Sequence, residues 1–226
     1  MNYPCEFCKR EFSNEKRLIN HMCEQKRRWT SRNKHHVRLG LQSWLKWYEL
    51  SGTHLNKKNR SYKDFMASQF YTAFVKFGRH VADTNMVNPI QFIESVIKNG
   101  IKLDDWCKDS VYEQYVRDVC KREDVNTALE RQVHLMETWA EENNEEWTEF
   151  FKKIHPNLAI KWIRTGRISP WILFNATTAG YLFDRMSEEQ IAMVDDFIET
   201  PFWKLKMKRN EQDMKFVQET LERYGI

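Results

Sequence analysis

Three cysteines and one histidine are crowded into the first 23 residues of the chain. Cys5 and Cys8 are separated by two residues. His21 follows after twelve more, and Cys23 stands two positions beyond it. Thiolate and imidazole groups are the ligands that Zn²⁺ prefers, and two closely spaced pairs of them are typical of a structural zinc site. These four side chains are therefore predicted to bind one Zn²⁺ ion.

The residues between the two pairs resemble the C2H2 zinc-finger family. That family reads Cys-x2-Cys-x3-Phe-x5-Leu-x2-His-x3-5-His, and Phe12 and Leu18 stand at the positions of its two small core residues. The resemblance implies a short β-hairpin followed by a helix, a ββα-like finger over residues 1–24. About twenty residues cannot fold on so small a core, so the metal has to supply the missing stability.

The closing ligand departs from the C2H2 pattern. Residues 25–27, where the family has its second histidine, are Gln-Lys-Arg and bind zinc poorly. Cys23 is the nearest thiol, and its His-x-Cys closure is similar to that of the WRKY family. Because helix positions two apart point to different sides, His21 and Cys23 share a metal only if the helix ends near Met22. The alternative fourth ligands, after a longer loop, are His35 and His36.

Positive charge is concentrated near the N-terminus. Residues 1–60 carry 14 Lys and Arg against five Asp and Glu, whereas the other 166 residues carry 22 against 27. A basic head on a mildly acidic body indicates an anionic partner, because Lys and Arg neutralise phosphates and an embedded tryptophan can stack on a base. The residues predicted to contact nucleic acid are Asn14, Lys16, Arg17, Lys26, Arg27, Arg28, Trp29, Arg32, Lys34 and Arg38. For Trp29 the alternative is that its ring packs on the body.

The resemblance to C2H2 fingers also implies a docking mode, with DNA as the favoured partner. The finger helix, residues 13–20, would enter a groove, with Asn14, Glu15 and Arg17 near the bases. One finger reads only about three base pairs, so other contacts have to add affinity. The candidates are the basic stretch after the finger, a partner protein bound by the helical body, and a second cluster at Lys204, Lys206, Lys208 and Arg209. A regulatory role in transcription or DNA metabolism fits this module.

The rest of the chain is predicted to be an all-α body of about eight or nine helices. Seven Gly and five Pro are few for 226 residues, and residues 37–48 show a helical stripe of apolar side chains. Gly52 is predicted to end that helix, with a polar loop following up to Arg60. Further helix starts are predicted at Ser61 (one helix up to Phe77), Asn88-Pro89, Thr127 and Ser187. The predicted domains are the finger (1–24), a basic linker (25–38) and a helical domain (39–226).

Several functional classes lack support in this sequence. No stretch is long and apolar enough for a membrane span, and no secretory signal is visible, so an intracellular protein is expected. Five cysteines, three of them crowded together, indicate metal ligands in a reducing compartment rather than a disulfide framework. No catalytic constellation was identified. The rival functions are an adaptor that docks on a polymerase or other large complex, and an RNA-binding protein or nuclease that uses His35 and His36.

Overall fold

The computed structural model describes residues 2–51 and 60–226. In these residues the fold is about 70% helical, with 15 α-helices and one small two-stranded sheet at the N-terminus. The chain forms two compact units, the first ending at Lys108 and the second beginning at Asp109. The predicted all-α body with a small β element is therefore confirmed, and the helical domain predicted over 39–226 spans both units.

Within the described residues, the first unit contains the finger, whose helix is α1, and five α-helices that follow it. Its strands are β1 (Tyr3–Pro4) and β2 (Glu11–Phe12). Its helices are α1 (Glu15–Asn20), α2 (Glu24–Thr30), α3 (His35–Leu50), α4 (Tyr62–Ala67), α5 (Tyr71–Thr84) and α6 (Pro89–Lys98), followed by a 3₁₀ turn at Leu103–Asp105. The predicted basic linker is thus largely helical, since α2 and the start of α3 occupy it.

The core of the first unit is built where α3 crosses α5. Trp44 of α3 and Phe74 and Phe77 of α5 are fully buried. The helices approach closely because each has a glycine at the crossing. A Cβ on Gly78 would lie 2.2 Å from the carbonyl oxygen of His36, and one on Gly40 would lie 2.6 Å from that of Phe74. No other residue fits at these two positions without moving backbone.

Within the described residues, the second unit contains helices and no β-strands. Its helices are α7 (Asp109–Cys120), α8 (Val125–Asn143), α9 (Phe150–Lys153), α10 (Pro156–Arg164), α11 (Pro170–Leu173), α12 (Ala179–Phe183), α13 (Glu188–Ile198), α14 (Thr200–Arg209) and α15 (Glu211–Arg223), with a 3₁₀ turn at Trp147–Glu149. Trp171 and Trp203 pack edge to face in its core, with ring centroids 5.5 Å apart.

Side-chain caps explain where several helices begin. Ser61 and Ser187 form the predicted capping boxes with Asp64 and Gln190. Asn88 adopts a left-handed conformation directly before the proline that starts α6. The start predicted at Thr127 was wrong by one turn, because Asp124 is the N-cap and its carboxylate accepts the backbone N–H of Thr127.

The predicted count of eight or nine helices was wrong because many helices are short. The single helix predicted from Ser61 to Phe77 is interrupted, since Ser68 ends α4 and α5 begins only at Tyr71. Helices of four to six residues, such as α9, α11 and α12, complete at most about two turns, and that is too short for a 3.6-residue period to be recognised. No helix in the described part of the chain combines the length and apolarity that crossing a bilayer requires.

Two predictions concern residues outside the described ranges. Gly52 was predicted to end the helix that is now α3, which runs to Leu50 with Ser51 as its C-cap. The polar loop predicted after it includes His54, Lys57 and Lys58, which also lie outside the described residues. Its last residue, Arg60, is described, and its guanidinium lies 3.7 Å from the ring centroid of Tyr48.

We expect Gly78→Ala to lower the free energy of unfolding by about 1–3 kcal/mol or more, because the new methyl group meets backbone rather than a flexible side chain. A urea titration followed by helical circular dichroism measures the change. The matched control is Gly180→Ala in α12, where a Cβ meets no atom within 4 Å. That change should be neutral or stabilising, by up to about 1 kcal/mol. Equal stability of the two variants would contradict the close α3–α5 crossing.

Candidate metal centre

The hairpin of the finger places Cys5 and Cys8 at one end of the module. β1 and β2 pair antiparallel, with Tyr3 opposite Phe12. The turn between the strands is closed by two backbone hydrogen bonds, Cys5 N–H to Arg10 O and Lys9 N–H to Cys5 O, each 2.9 Å. Lys9 takes a left-handed conformation, with φ 61°, which lets the chain reverse after Cys8. The turn therefore brings both thiols to the same side.

The finger helix ends early enough to bring His21 and Cys23 together. Asn14 begins α1 by accepting the backbone N–H of Arg17, 2.9 Å away. α1 ends at Asn20, and His21 is its C-cap, with an extended backbone. Residues 21–23 are not helical. The helix therefore ends before Met22, as it must for His21 and Cys23 to share one metal ion.

The four predicted ligands form one cluster. The ligand atoms of Cys5, Cys8, His21 and Cys23 all lie within 4.8 Å of one another. Cys8 Sγ lies 3.2 Å from His21 Nε2. Tetrahedral zinc, with Zn–S near 2.3 Å and Zn–N near 2.0 Å, places its ligand atoms about 3.5–3.8 Å apart. Cys5 is 3% exposed and the other three are half-buried, so the cluster can hold a metal ion in a partly desolvated position.

Backbone amides and neighbouring sulfurs set the ionisation of the thiols. The backbone N–H groups of Cys8 and Phe7 hold the pKa of Cys5 below its ordinary value, although burial raises it. The pKa of Cys8 is raised. The backbone N–H of Arg10 lowers it, but burial and the nearby sulfurs of Cys5 and Cys23 outweigh that effect. Crowded thiolates repel each other, and a divalent cation at their centre removes that repulsion.

Cys23 has a second role besides its place in the cluster. It is the N-cap residue of α2, and its Sγ accepts the backbone N–H of Lys26 at 3.4 Å. The ammonium of Lys26 in turn reaches back to the carbonyl oxygens of His21, at 3.2 Å, and Ile19, at 3.5 Å. Lys26 therefore holds residues 19–23, which carry the last two ligands, through both its backbone N–H and its side chain.

The alternative fourth ligands are not part of the cluster. His35 and His36 lie in the first turn of α3, and His35 is exposed. His36 lies against α5, since a Cβ on Gly78 would lie 2.2 Å from its carbonyl oxygen. Burial first, and then the charge of Arg79 on α5, lower the pKa of His36. Among the described residues, the cluster is the one group of three or more His, Cys, Asp or Glu side chains whose ligand atoms converge.

The two predicted core residues of the finger are only partly buried. The ring of Phe12 lies against the imidazole of His21, with centroids 4.6 Å apart. Leu18 is half-buried, and α1 has no fully buried residue. Such a core contributes little, so a bound metal ion would have to supply much of the stability of the finger.

Part of the predicted nucleic-acid surface lines one open groove beside the cluster. This groove runs along β2 and α1 and includes Asn14 together with three cationic side chains, Arg10, Lys16 and Arg17. Arg10 was not among the residues predicted to contact nucleic acid. The side-chain oxygen of Asn14 is already used as the cap of α1. Further along the chain, the exposed cationic side chains are Arg27, Arg32, Lys34 and Arg38.

Three other predicted contact residues have structural roles in this fold. Lys26 binds the carbonyl groups at the end of α1, as described above. Arg28 Nη1 donates to the carbonyl oxygen of Met66 at 2.7 Å, and its guanidinium lies 4.4 Å from the ring centroid of Tyr71. Trp29 lies between Phe7, at 6.2 Å, and Tyr62, at 6.0 Å between ring centroids. Arg28 and Trp29 thus join the finger to α4 and α5. The ring of Trp29 packs on the body, which is the alternative given for it from the sequence.

The second basic cluster, in α14, is also partly used within the protein. The ammonium of Lys206 lies 4.8 Å from the ring centroid of Trp171 and 4.6 Å from that of Trp203, and it donates to the carbonyl oxygen of Lys121. Burial lowers its pKa. Lys204, Lys208 and Arg209 remain exposed on α14.

We expect Cys23→Ala to reduce metal affinity by at least tenfold, because it removes one of four ligand atoms. The measurement is zinc content per chain, together with competition against a chromophoric chelator. Cys107→Ala, a change of a half-buried cysteine outside the cluster, is the matched control and should retain full affinity. Wild-type affinity in Cys23→Ala would exclude Cys23 as a ligand.

Comparison of the chain with family models, curated proteins and solved structures found no match. The resemblance to a zinc finger therefore depends on residues 3–23 alone, through the spacing of the ligands and the converging cluster that they form.

Proposed function

We propose that the protein binds nucleic acid, with double-stranded DNA favoured, through a zinc-stabilised finger and the basic residues around it. The observation that carries this proposal is the groove beside the metal cluster, where Arg10, Lys16 and Arg17 lie together. Three cationic side chains around one open groove fit a phosphate backbone, because each neutralised phosphate releases a counterion. The single acidic residue of the lining is Glu11.

Most cationic side chains near the finger are not paired with a carboxylate among the described residues. Among the described residues up to Arg38, one ion pair is formed, between Arg28 and Glu24. The exposed cationic side chains of this segment are Lys9, Arg10, Lys16, Arg17, Arg27, Arg32, Lys34 and Arg38. Since they are not neutralised within the protein, they supply the positive field that an anionic polymer requires.

Zinc is the metal that best fits the cluster. Three thiols and one imidazole are the donor set of a closed Cys₃His site, which binds zinc in tetrahedral geometry and stabilises a fold. With all four positions taken by protein ligands, no coordination site remains for a substrate. The metal is therefore proposed to hold the finger together rather than to catalyse a reaction.

A protein-binding adaptor is the second candidate, and one observation favours it. Ile19 is 65% exposed and Met22 is 52% exposed, both near the end of α1. Apolar side chains displayed beside a small domain often mark a protein interface. Salt distinguishes the two functions, because phosphate contacts weaken steeply as salt rises and an apolar interface does not.

We expect the double variant Lys16→Ala/Arg17→Ala to bind DNA more weakly and with a smaller salt dependence. The slope of log affinity against log salt should become less steep by about 1.8, since each lost phosphate contact contributes about 0.9. Filter-binding titrations with double-stranded DNA, single-stranded DNA and RNA at several salt concentrations give both values and identify the preferred partner.

The matched control is Lys204→Ala/Arg209→Ala, which removes two exposed cationic side chains from α14 in the second unit. If it changes the slope as much as the finger variant does, the binding is a general effect of charge and the groove is not the site. No binding of any nucleic acid at low salt by the zinc-loaded wild type would contradict the proposed function and leave the adaptor as the better account.

A further inference from the structure

The sulfur of Cys23 belongs to two structures at once. It lies in the metal cluster, and it also caps the first turn of α2 by accepting the N–H of Lys26. A thiolate held by a metal is a fixed and charged acceptor at that position, which strengthens the hydrogen bond it accepts. Metal binding therefore favours the helical state of α2.

The other end of α2 is attached to the body of the first unit through Arg28. Its backbone carbonyl accepts the hydroxyl of Tyr62 at 2.5 Å, and its side chain donates to the carbonyl of Met66 on the same helix, α4. Burial, followed by the neighbouring hydroxyl of Tyr71, raises the pKa of Tyr62. Tyr62 accordingly remains protonated and able to donate this bond across the neutral pH range.

Trp29 makes a second connection between the metal site and the body. Its ring lies between Phe7, inside the Cys5–Cys8 turn, and Tyr62 of α4. The turn that carries two of the ligands is therefore linked to α4 through the ring of Trp29. Trp29 is 22 positions from Phe7 and 33 positions from Tyr62 in the chain.

A helix of seven residues is not stable by itself in water. α2 is helical because it is held at its start by Cys23 and near its end by Arg28 and Trp29. If either the contact at Cys23 or the contacts of Arg28 and Trp29 are weakened, α2 is less helical and the contacts at its other end become weaker too. The energy of metal binding and the energy of docking are consequently linked.

We propose that the metal acts as a clasp that fixes the finger to α4 and α5, so that metal occupancy controls nucleic-acid binding. With the metal bound, the groove residues and the cationic side chains of α2 and α3 are held in one arrangement. Without it, α2 loses its cap and its docked residues, and these charges no longer form a single surface. This inference depends on the metal and nucleic-acid binding proposed above.

The test uses reciprocity, because a residue that docks α2 has to influence metal affinity without being a ligand. Arg28→Met and Tyr62→Phe should each weaken zinc binding by about fivefold or more. This factor equals the one by which bound zinc favours the docking of α2 on α4, because the coupling is reciprocal. Competition with a chromophoric chelator measures this on the full chain. The control for lost charge is Arg38→Met, an exposed residue of the same basic segment, which should retain wild-type affinity.

Limited trypsin digestion supplies a second readout. α2 contains three consecutive cleavage sites, Lys26, Arg27 and Arg28. Zinc-loaded wild type should be cut slowly there, and chelator-treated wild type at least tenfold faster. Zinc-loaded Tyr62→Phe, which keeps all three sites, should be cut faster than loaded wild type while its circular dichroism shows the body still folded.

The outcomes separate this inference from the proposed function. Wild-type zinc affinity in both variants, together with wild-type trypsin resistance in Tyr62→Phe, would overturn the clasp, and nucleic-acid binding by the wild type would still stand. Weakened zinc binding in variants of a protein that binds no nucleic acid at low salt would support the clasp between the finger and α4, but it would overturn the proposed function and, with it, the control of nucleic-acid binding by the metal. Reduced zinc affinity together with reduced nucleic-acid affinity in Tyr62→Phe supports both.

Discussion

The convergence of three thiols and one imidazole is the constraint on which the finger depends. Their ligand atoms lie within 4.8 Å, yet they come from the hairpin turn, the residues after α1 and the first residue before α2. The apolar contacts around them are few, since Phe12 and Leu18 are only half-buried. A divalent cation bound by the cluster would replace the missing core, because it would hold all three segments at once and offset the repulsion between the sulfurs.

The short spacing between His21 and Cys23 determines the rest of the local structure. Because the two ligands are two residues apart, α1 has to stop at Asn20, and a new helix can start directly after Cys23. A six-residue helix offers less surface to a DNA groove than the longer helix of a C2H2 finger. In the proposed function, the cationic side chains beyond α1 therefore contribute more of the affinity for DNA. Their arrangement depends on how firmly α2 is held against α4.

Local features of this chain were predictable, whereas contacts between distant residues were not. Ligand types and spacing identified the metal cluster, and short-range cap chemistry identified the starts at Ser61 and Ser187. The hydrogen bonds of Arg28 with Met66 and Tyr62 cross 38 and 34 residues, and nothing in composition or periodicity reports them. The break between units at Lys108 likewise has no Gly- or Pro-rich linker to mark it.

Trp29 shows how a correct pattern can support two different functions. A tryptophan among arginines fits base stacking, and it fits equally a contact between two parts of the protein that needs an apolar ring beside charged side chains. The position of Trp29 between Phe7 and Tyr62 favours the contact within the protein. The guanidinium of Arg32 also lies 4.7 Å from the centroid of the same ring. Without that ring as a stacking platform, the proposed affinity for nucleic acid derives from phosphate contacts. Discrimination between sequences then has to come from the groove along α1 or from a bound partner.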